Sequence, residues 1–191
     1  MTLAEKLLAI HHALERAEFE HAFGGAIALA YWTLDPRGTS DIDVNIFVPA
    51  ARAGGAVGAL PDGVACGEAD LAAIERDGQA RLWWDETPVD VFFDYERLHE
   101  EASRHRRLVP FAGEEIPILG PVELATFKAV FDRTRDWADI EAMLAAETLD
   151  LDAVRAHLAK LTGADDARLR RLAEAAERVD AARARATGGG A

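Results

Sequence analysis

The sequence predicts an α+β fold: an N-terminal mixed or antiparallel sheet with flanking helices, followed by a C-terminal helical bundle. Three observations predict it. Short runs of alternating apolar and polar residues, bounded by Gly, Pro and Asp, recur between Phe19 and Leu119. After Gly120-Pro121 the apolar positions recur at helical spacing only. The chain has 191 residues, half of them hydrophobic, enough to bury a core without disulfide staples. The predicted division is residues 1–120 for the α/β domain, 121–187 for the helical subdomain and 188–191 for a flexible tail.

Each element has a local reason. Residues 2–18 carry apolar side chains at 3, 7, 8, 10 and 14, a helical period, and Thr2 with Glu5 forms a capping-box pattern. Residues 19–23 read as a short strand or loop into Gly24-Gly25. Residues 25–33 read as a buried helix, and Asp35-Pro36-Arg37-Gly38 as a turn. Residues 41–49 alternate as a strand does. Residues 50–62 form a short Ala/Gly-rich helix, followed by a weaker segment to Arg76. Gln79–Trp84 and Val89–Tyr95 flank Asp85-Glu86-Thr87-Pro88 and predict a hairpin with a four-residue loop. Residues 96–107 are a polar helix ending in a basic cluster. Val109–Phe111 and Ile116–Leu119 predict a second hairpin. Helices are expected near 121–133, 135–147, 150–161 and 165–186, with Pro121 suited to a helix start.

Composition narrows the function classes. A single cysteine, Cys66, excludes an internal disulfide and a cysteine-based zinc site. There is no apolar run long enough to span a membrane, and the amphipathic N-terminal stretch does not read as a signal peptide. A soluble, cytoplasmic protein without a membrane partner is the expectation. The net charge is −13. Residues 1–95 hold 6 Lys/Arg against 16 Asp/Glu, whereas residues 96–191 hold 15 against 18. A whole-surface nucleic-acid binder should be basic, so that class is disfavoured. The acidic N-terminal half suits divalent cations, although solubility explains acidity equally well.

The candidate chemistry begins in the stretch His21–Pro49. Asp41 and Asp43 stand two apart on a strand pattern, so they project to one face, about 7 Å apart along the backbone. Two carboxylates together resist ionisation unless a cation lies between them. Asp90 interrupts a run of Val and Phe on a later strand and is the third candidate, with Asp94 as its substitute on the same face. Three converging carboxylates suit a hard divalent ion such as magnesium, which prefers oxygen ligands. Two such ions can clamp the attacking and leaving oxygens of a phosphoryl displacement. Gly24-Gly25 opens a helix and allows close backbone approach, as a phosphate-cradling turn requires.

This combination of Gly24-Gly25, Thr39-Ser40-Asp41-Ile42-Asp43-Val44 and Val89-Asp90-Val91 resembles the nucleotidyltransferase superfamily with the polymerase-beta-like fold. The later segments Pro121-Val122-Glu123-Leu124-Ala125-Thr126-Phe127-Lys128 and Arg135-Asp136-Trp137-Ala138-Asp139-Ile140 are most similar to its AbiEii-like and MenT-type toxin branch. The interval from Gly25 to Asp41 is longer than in the smallest members of the superfamily. The resemblance spans about residues 20–147. It implies a magnesium-dependent transferase with two ions, manganese being the alternative, that moves an NMP from an NTP to an acceptor hydroxyl. By that resemblance Asp41, Asp43 and Asp90 hold the metal, and Asp90 takes the acceptor's proton. Gly24, Gly25, Thr39 and Ser40 contact the triphosphate, and Lys128 neutralises phosphate charge.

The implied acceptor is tRNA or protein, within a toxin–antitoxin system with a cognate antitoxin partner. An aminoglycoside or lincosamide nucleotidyltransferase and a catalytically inactive binding member of the fold are the alternatives. Several residues carry two readings. Asp136 and Asp139 are helix-start acids or site residues. Arg104, His105, Arg106 and Arg107 are solvated surface charge or a contact for an RNA backbone. Of Trp83-Trp84, one ring belongs to the core and the other is free to stack a base. The six histidines show no ligand spacing.

Overall fold

The structure, a computed structural model, describes residues 1–36, 38–94 and 97–188. The expected roles of Arg37, Tyr95 and Glu96, and of tail residues 189–191, lie outside the described residues, as does the side chain of Asp94. The chain is α+β. It falls into two compact units: one holds Met1–Ala28 and the stretch that ends at Gly120, the other Leu29–Pro36 and the chain from Pro121 onward.

The first unit is built on a seven-stranded mixed sheet. Its elements in chain order are α1 (Leu3–Arg16), β1 (His21–Phe23), the start of α2 (Gly25–Thr33), β2 (Ile42–Pro49), α3 (Ala53–Val57), β3 (Val64–Ala65), α4 (Glu68–Asp77), β4 (Gln79–Trp84), β5 (Thr87–Asp94), α5 (Arg97–His105), β6 (Arg107–Phe111) and β7 (Glu114–Ile118). The strand order is β3-β4-β5-β2-β1-β7-β6. β2 runs parallel to β5 and antiparallel to β1, which is parallel to β7. Alternation decides which face is buried. Ile42, Val44 and Ile46 of β2 and Val89, Val91 and Phe93 of β5 are fully buried, while Asp43, Asp90 and Phe92 between them are only half-buried.

Two expectations change here. The first hairpin turns on two residues, Asp85 and Glu86, because β5 already begins at Thr87. Asp85 takes φ 52°, the left-handed region that tight hairpin turns need. The weak segment before Arg76 contains both β3 and the ten-residue α4. That helix ends on Gly78 at φ 71°, a left-handed C-cap. The expected capping box of α1 is present: Thr2 N–H donates to Glu5 at 2.7 Å and Glu5 N–H to the Thr2 hydroxyl at 3.2 Å.

α1 is fastened to the sheet at two points. Lys6 is buried and donates to the Trp84 carbonyl at 2.7 Å, to Asp85 at 3.1 Å and to the Thr87 hydroxyl at 3.1 Å. Asp85 is largely exposed, so its ion pair adds little, and the bond to the buried carbonyl carries most of the value. At the other end, the buried His21 ring lies against His11. Burial holds His21 neutral, with its pKa pushed down to about 4.

The second unit is helical: the end of α2 with α6 (Pro121–Phe131), α7 (Thr134–Ala145), α8 (Leu151–Thr162) and α9 (Ala167–Gly188). Leu124, Trp137, Ile140, Met143, Val154, Leu158 and Leu172 form its core. Buried in it, Lys128 pairs with Asp139 at 2.6 Å and lies 3.8 Å from Asp136, which also receives Arg133 at 2.6 Å. Among the described residues no helix is long and apolar enough to cross a membrane.

Replacing Lys6 by Ala removes all three of its hydrogen bonds, the buried one to the Trp84 carbonyl among them. A loss of about 1–3 kcal/mol is expected in denaturant unfolding. Stability should also fall as pH drops from 6.5 to about 4. Across that window the unfolded chain takes up a proton at His21 that the folded chain refuses. The slope from this residue is roughly 1.4 kcal/mol per pH unit. It is checked by comparing unfolding midpoints of the parent and His21→Gln across pH, and the variant should lack this component.

Candidate functional site

The polar face of the sheet centre gathers the predicted carboxylates. β2 and β5 run side by side in parallel, and Asp43 is the register partner of Asp90. Asp41 lies one residue ahead of β2, half-buried, rather than within the strand. Its carboxylate accepts a hydrogen bond from the Thr39 hydroxyl, which fixes the approach to the strand. Ser40, beside it, is exposed.

The glycine turn meets the same carboxylates. Gly24 N–H donates to the Asp43 carbonyl at 2.9 Å. Gly25 begins α2 with φ 51°, and a Cβ there would sit 1.8 Å from Asp43 Oδ2. Only glycine lets the Asp43 carboxylate lie across the mouth of this turn. The expected small-residue pair therefore shapes the position of Asp43 directly.

One member of the site was not expected from the sequence. Arg81 on β4 is the register partner of Asp90 and grips its carboxylate with two parallel bonds, both 2.7 Å. The bonds it donates to Asp90 raise the Arg81 pKa above its ordinary value. Asp90's charge adds to the rise, and Asp41 and Asp43 push the same way. All three carboxylates therefore lie near enough to act on one cation, although only Asp90 bonds to it. The signal for Arg81 lay in the hairpin register. A four-residue loop places Arg81 opposite Phe92, whereas the observed two-residue turn places it opposite Asp90. Trp83, two residues on from Arg81, points to the same side and is half exposed, while Trp84 is buried.

Three carboxylates together would form a hard oxygen donor set of the kind that suits magnesium or manganese, but here their oxygens do not all lie within 4.8 Å of one another, and both oxygens of Asp90 are held by Arg81. To hold such an ion, Asp90 would have to leave Arg81 and turn toward Asp41 and Asp43. Lys128, Asp136 and Asp139 belong to the helical unit and are engaged with one another there. Arg106 is turned to Ser103 and Glu20, and Arg107 to backbone carbonyls, whereas Arg104 borders an open pocket.

No protein-family model matches the chain, and no curated protein matches its sequence. Solved structures do. The aminoglycoside-resistance factor ANT(2'')-Ia in complex with adenylyl-2''-tobramycin matches with a TM-score of 0.57 at 15% identity, over 84% of this chain and 97% of the other. The solution structure of ANT(2'')-Ia matches with a TM-score of 0.50 at 14% identity, over 83% of this chain and 90% of the other. The chain has a nucleotidyltransferase fold. Its mixed sheet, flanking helices and C-terminal helical region follow that architecture.

Gly25→Ala should force the Asp43 carboxylate out of its position and place an L-residue in the left-handed region, a cost of about 1–2 kcal/mol. Gly54→Ala is the contrast. Gly54 lies within α3, and a Cβ there meets nothing within 4 Å, so a gain of about 0.5–1 kcal/mol is expected. Denaturant midpoints of the two variants should move in opposite directions.

Proposed function

We propose that the protein transfers a nucleoside monophosphate from an NTP to an acceptor hydroxyl and releases pyrophosphate. The observation that supports this best is the register of Asp43 beside Asp90, with Asp41 one step ahead and Gly25 held open for the Asp43 carboxylate. Asp41, Asp43 and Asp90 would hold divalent metal. When bound, the metal supplies Lewis-acid stabilisation of phosphate charge.

The chain's own residues account for the rest. The turn at Gly24-Gly25 would meet triphosphate oxygens through the dipole and first-turn N–H groups of α2, since the Gly24 N–H itself is held by the Asp43 carbonyl. Thr39 and Ser40 extend that surface. The acceptor oxygen forms a bond to the α-phosphorus as the bond from α-phosphorus to the bridging oxygen breaks, and pyrophosphate leaves with the electron pair. Asp90 takes the acceptor's proton. Arg81 holds Asp90 oriented in the resting protein, and must loosen its two-point grip for Asp90 to serve. Lys128 keeps its assignment as a phosphate cation from the resemblance, within a pairing to Asp139 that locks its position. Positioning and electrostatic stabilisation supply most of the rate.

The acceptor divides two readings. The Pro121-led helix with Lys128, and Arg135-Asp136 with Asp139-Ile140, support a toxin-like enzyme acting on tRNA or protein, with an antitoxin partner. The second reading is an antibiotic nucleotidyltransferase. It is favoured by the likeness to ANT(2'')-Ia and by the acidic N-terminal half, which suits a cationic acceptor.

The test incubates the protein with magnesium and each labelled NTP, offering total tRNA, total protein or aminoglycosides. Label should pass to one acceptor class, and Asp43→Asn should reduce the rate at least about a hundredfold, the scale of losing one transition-state electrostatic contact. Transfer to none of them, or an Asp43→Asn protein as active as its parent, would overturn the enzyme reading.

A further inference from the structure

A second cluster of ligand-type side chains lies at the far end of β1 from the glycine turn. His11, Glu15 and His21 bring one ligand atom each to within 4.8 Å of one another. His11 and Glu15 are four apart on α1 and so share one helix face. His21 opens β1 and is buried. The six histidines look scattered along the chain, because this set needs a helix and a strand to meet.

The hydrogen bonds define the rings. His21 Nδ1 lies 2.9 Å from the Phe19 carbonyl. That oxygen only accepts, so Nδ1 carries the proton and Nε2 presents its lone pair. His11 Nδ1 lies 2.9 Å from that Nε2. A histidine whose far nitrogen is pinned to a backbone carbonyl, with the near nitrogen bare, is prepared as metal ligands are. Glu15 and His21 also border an open pocket of about 660 Å³, whose charged lining includes Glu18, Glu20, Arg104 and Arg106. A fourth ligand position is therefore reachable by water.

We propose that His11, Glu15 and His21 form a transition-metal site of the zinc type, separate from the carboxylates of the sheet centre. Two imidazoles and one carboxylate select zinc, cobalt or nickel over magnesium, which prefers an all-oxygen shell. Three protein ligands with an open fourth position are the zinc pattern of non-structural sites. Binding asks little of the fold. His11 gives up the proton on Nδ1 and takes one on Nε2, so that change of tautomer releases no net proton. The ion would then clamp α1 to β1, the strand that pairs with β2 and leads into Gly24-Gly25.

The experiment uses the untagged full chain, stripped with chelator and titrated with cobalt. Intense visible absorption bands of a low-coordinate site should grow to saturation at one ion per chain. Zinc should bleach them and excess magnesium should not. The melting temperature should rise with zinc. His11→Ala and Glu15→Gln should each weaken cobalt binding at least roughly tenfold, the least that disturbing a metal site's ligand set costs. Both positions lie outside the buried core, so these variants test the site even if His21→Gln folds poorly. Asp43→Asn should bind cobalt like its parent, which keeps this result independent of nucleotide transfer. Absence of the bands, their survival in both His11→Ala and Glu15→Gln, or their loss in Asp43→Asn would overturn the assignment.

Discussion

Like charge crowded onto the centre of the sheet is the constraint that orders this molecule. Asp43 and Asp90 sit side by side on parallel neighbouring strands, with Asp41 one residue ahead of β2. Nothing in sheet packing favours such a placement, since acids are depleted in strands and like charges opposite one another are destabilising. The protein answers with Arg81. Its planar fork meets both oxygens of Asp90 in a geometry that lysine could not match. The buried face beneath, with Ile42, Val44, Val89 and Val91 fully covered, holds the two strands in the register that forces the acids together. Hydrophobic burial thus sustains an electrostatic arrangement that would otherwise relax.

The same logic runs through the glycine turn. A carboxylate that lies across a helix N-terminus is favoured by its N–H groups and dipole, and Asp43 reaches that position only because Gly25 has no Cβ. The turn and the strand are coupled through one side chain. The helical unit shows a parallel device, in which Lys128 and Arg133 balance the buried Asp136 and Asp139. The buried Lys6, Lys128, Asp136 and Asp139 are each met by an opposite charge, as their desolvation demands.

α1 relates to the sheet through polar groups as well as apolar ones. Lys6 at one end and the His11–His21 contact at the other are buried or half-buried. Such contacts do not add much net stability, but they allow few alternatives. A helix held by Lys6 to a hairpin turn and by His11 to the first strand has one register.

Much of the candidate site was legible from local pattern. The alternation of Asp41-Ile42-Asp43-Val44, the glycine pair and the isolated Asp90 are each visible within a few residues, because strand alternation and glycine chemistry are local. The helices from Pro121 onward were legible for the same reason. What tertiary structure decided was pairing. Arg81 joined the site because a two-residue turn at Asp85-Glu86 shifted the hairpin register by two, and turn length is set by backbone twist that the flanking residues barely encode. β3 and α4 were missed because their burial comes from β4 and its neighbours rather than from their own periodicity. His11, Glu15 and His21 met only once α1 was laid beside β1. The sequence by itself determined, through strand and helix periodicity, which face of each element its acids and apolar residues occupy. Only the folded sheet decided which of them meet, since strand order and register depend on contacts far apart in the chain.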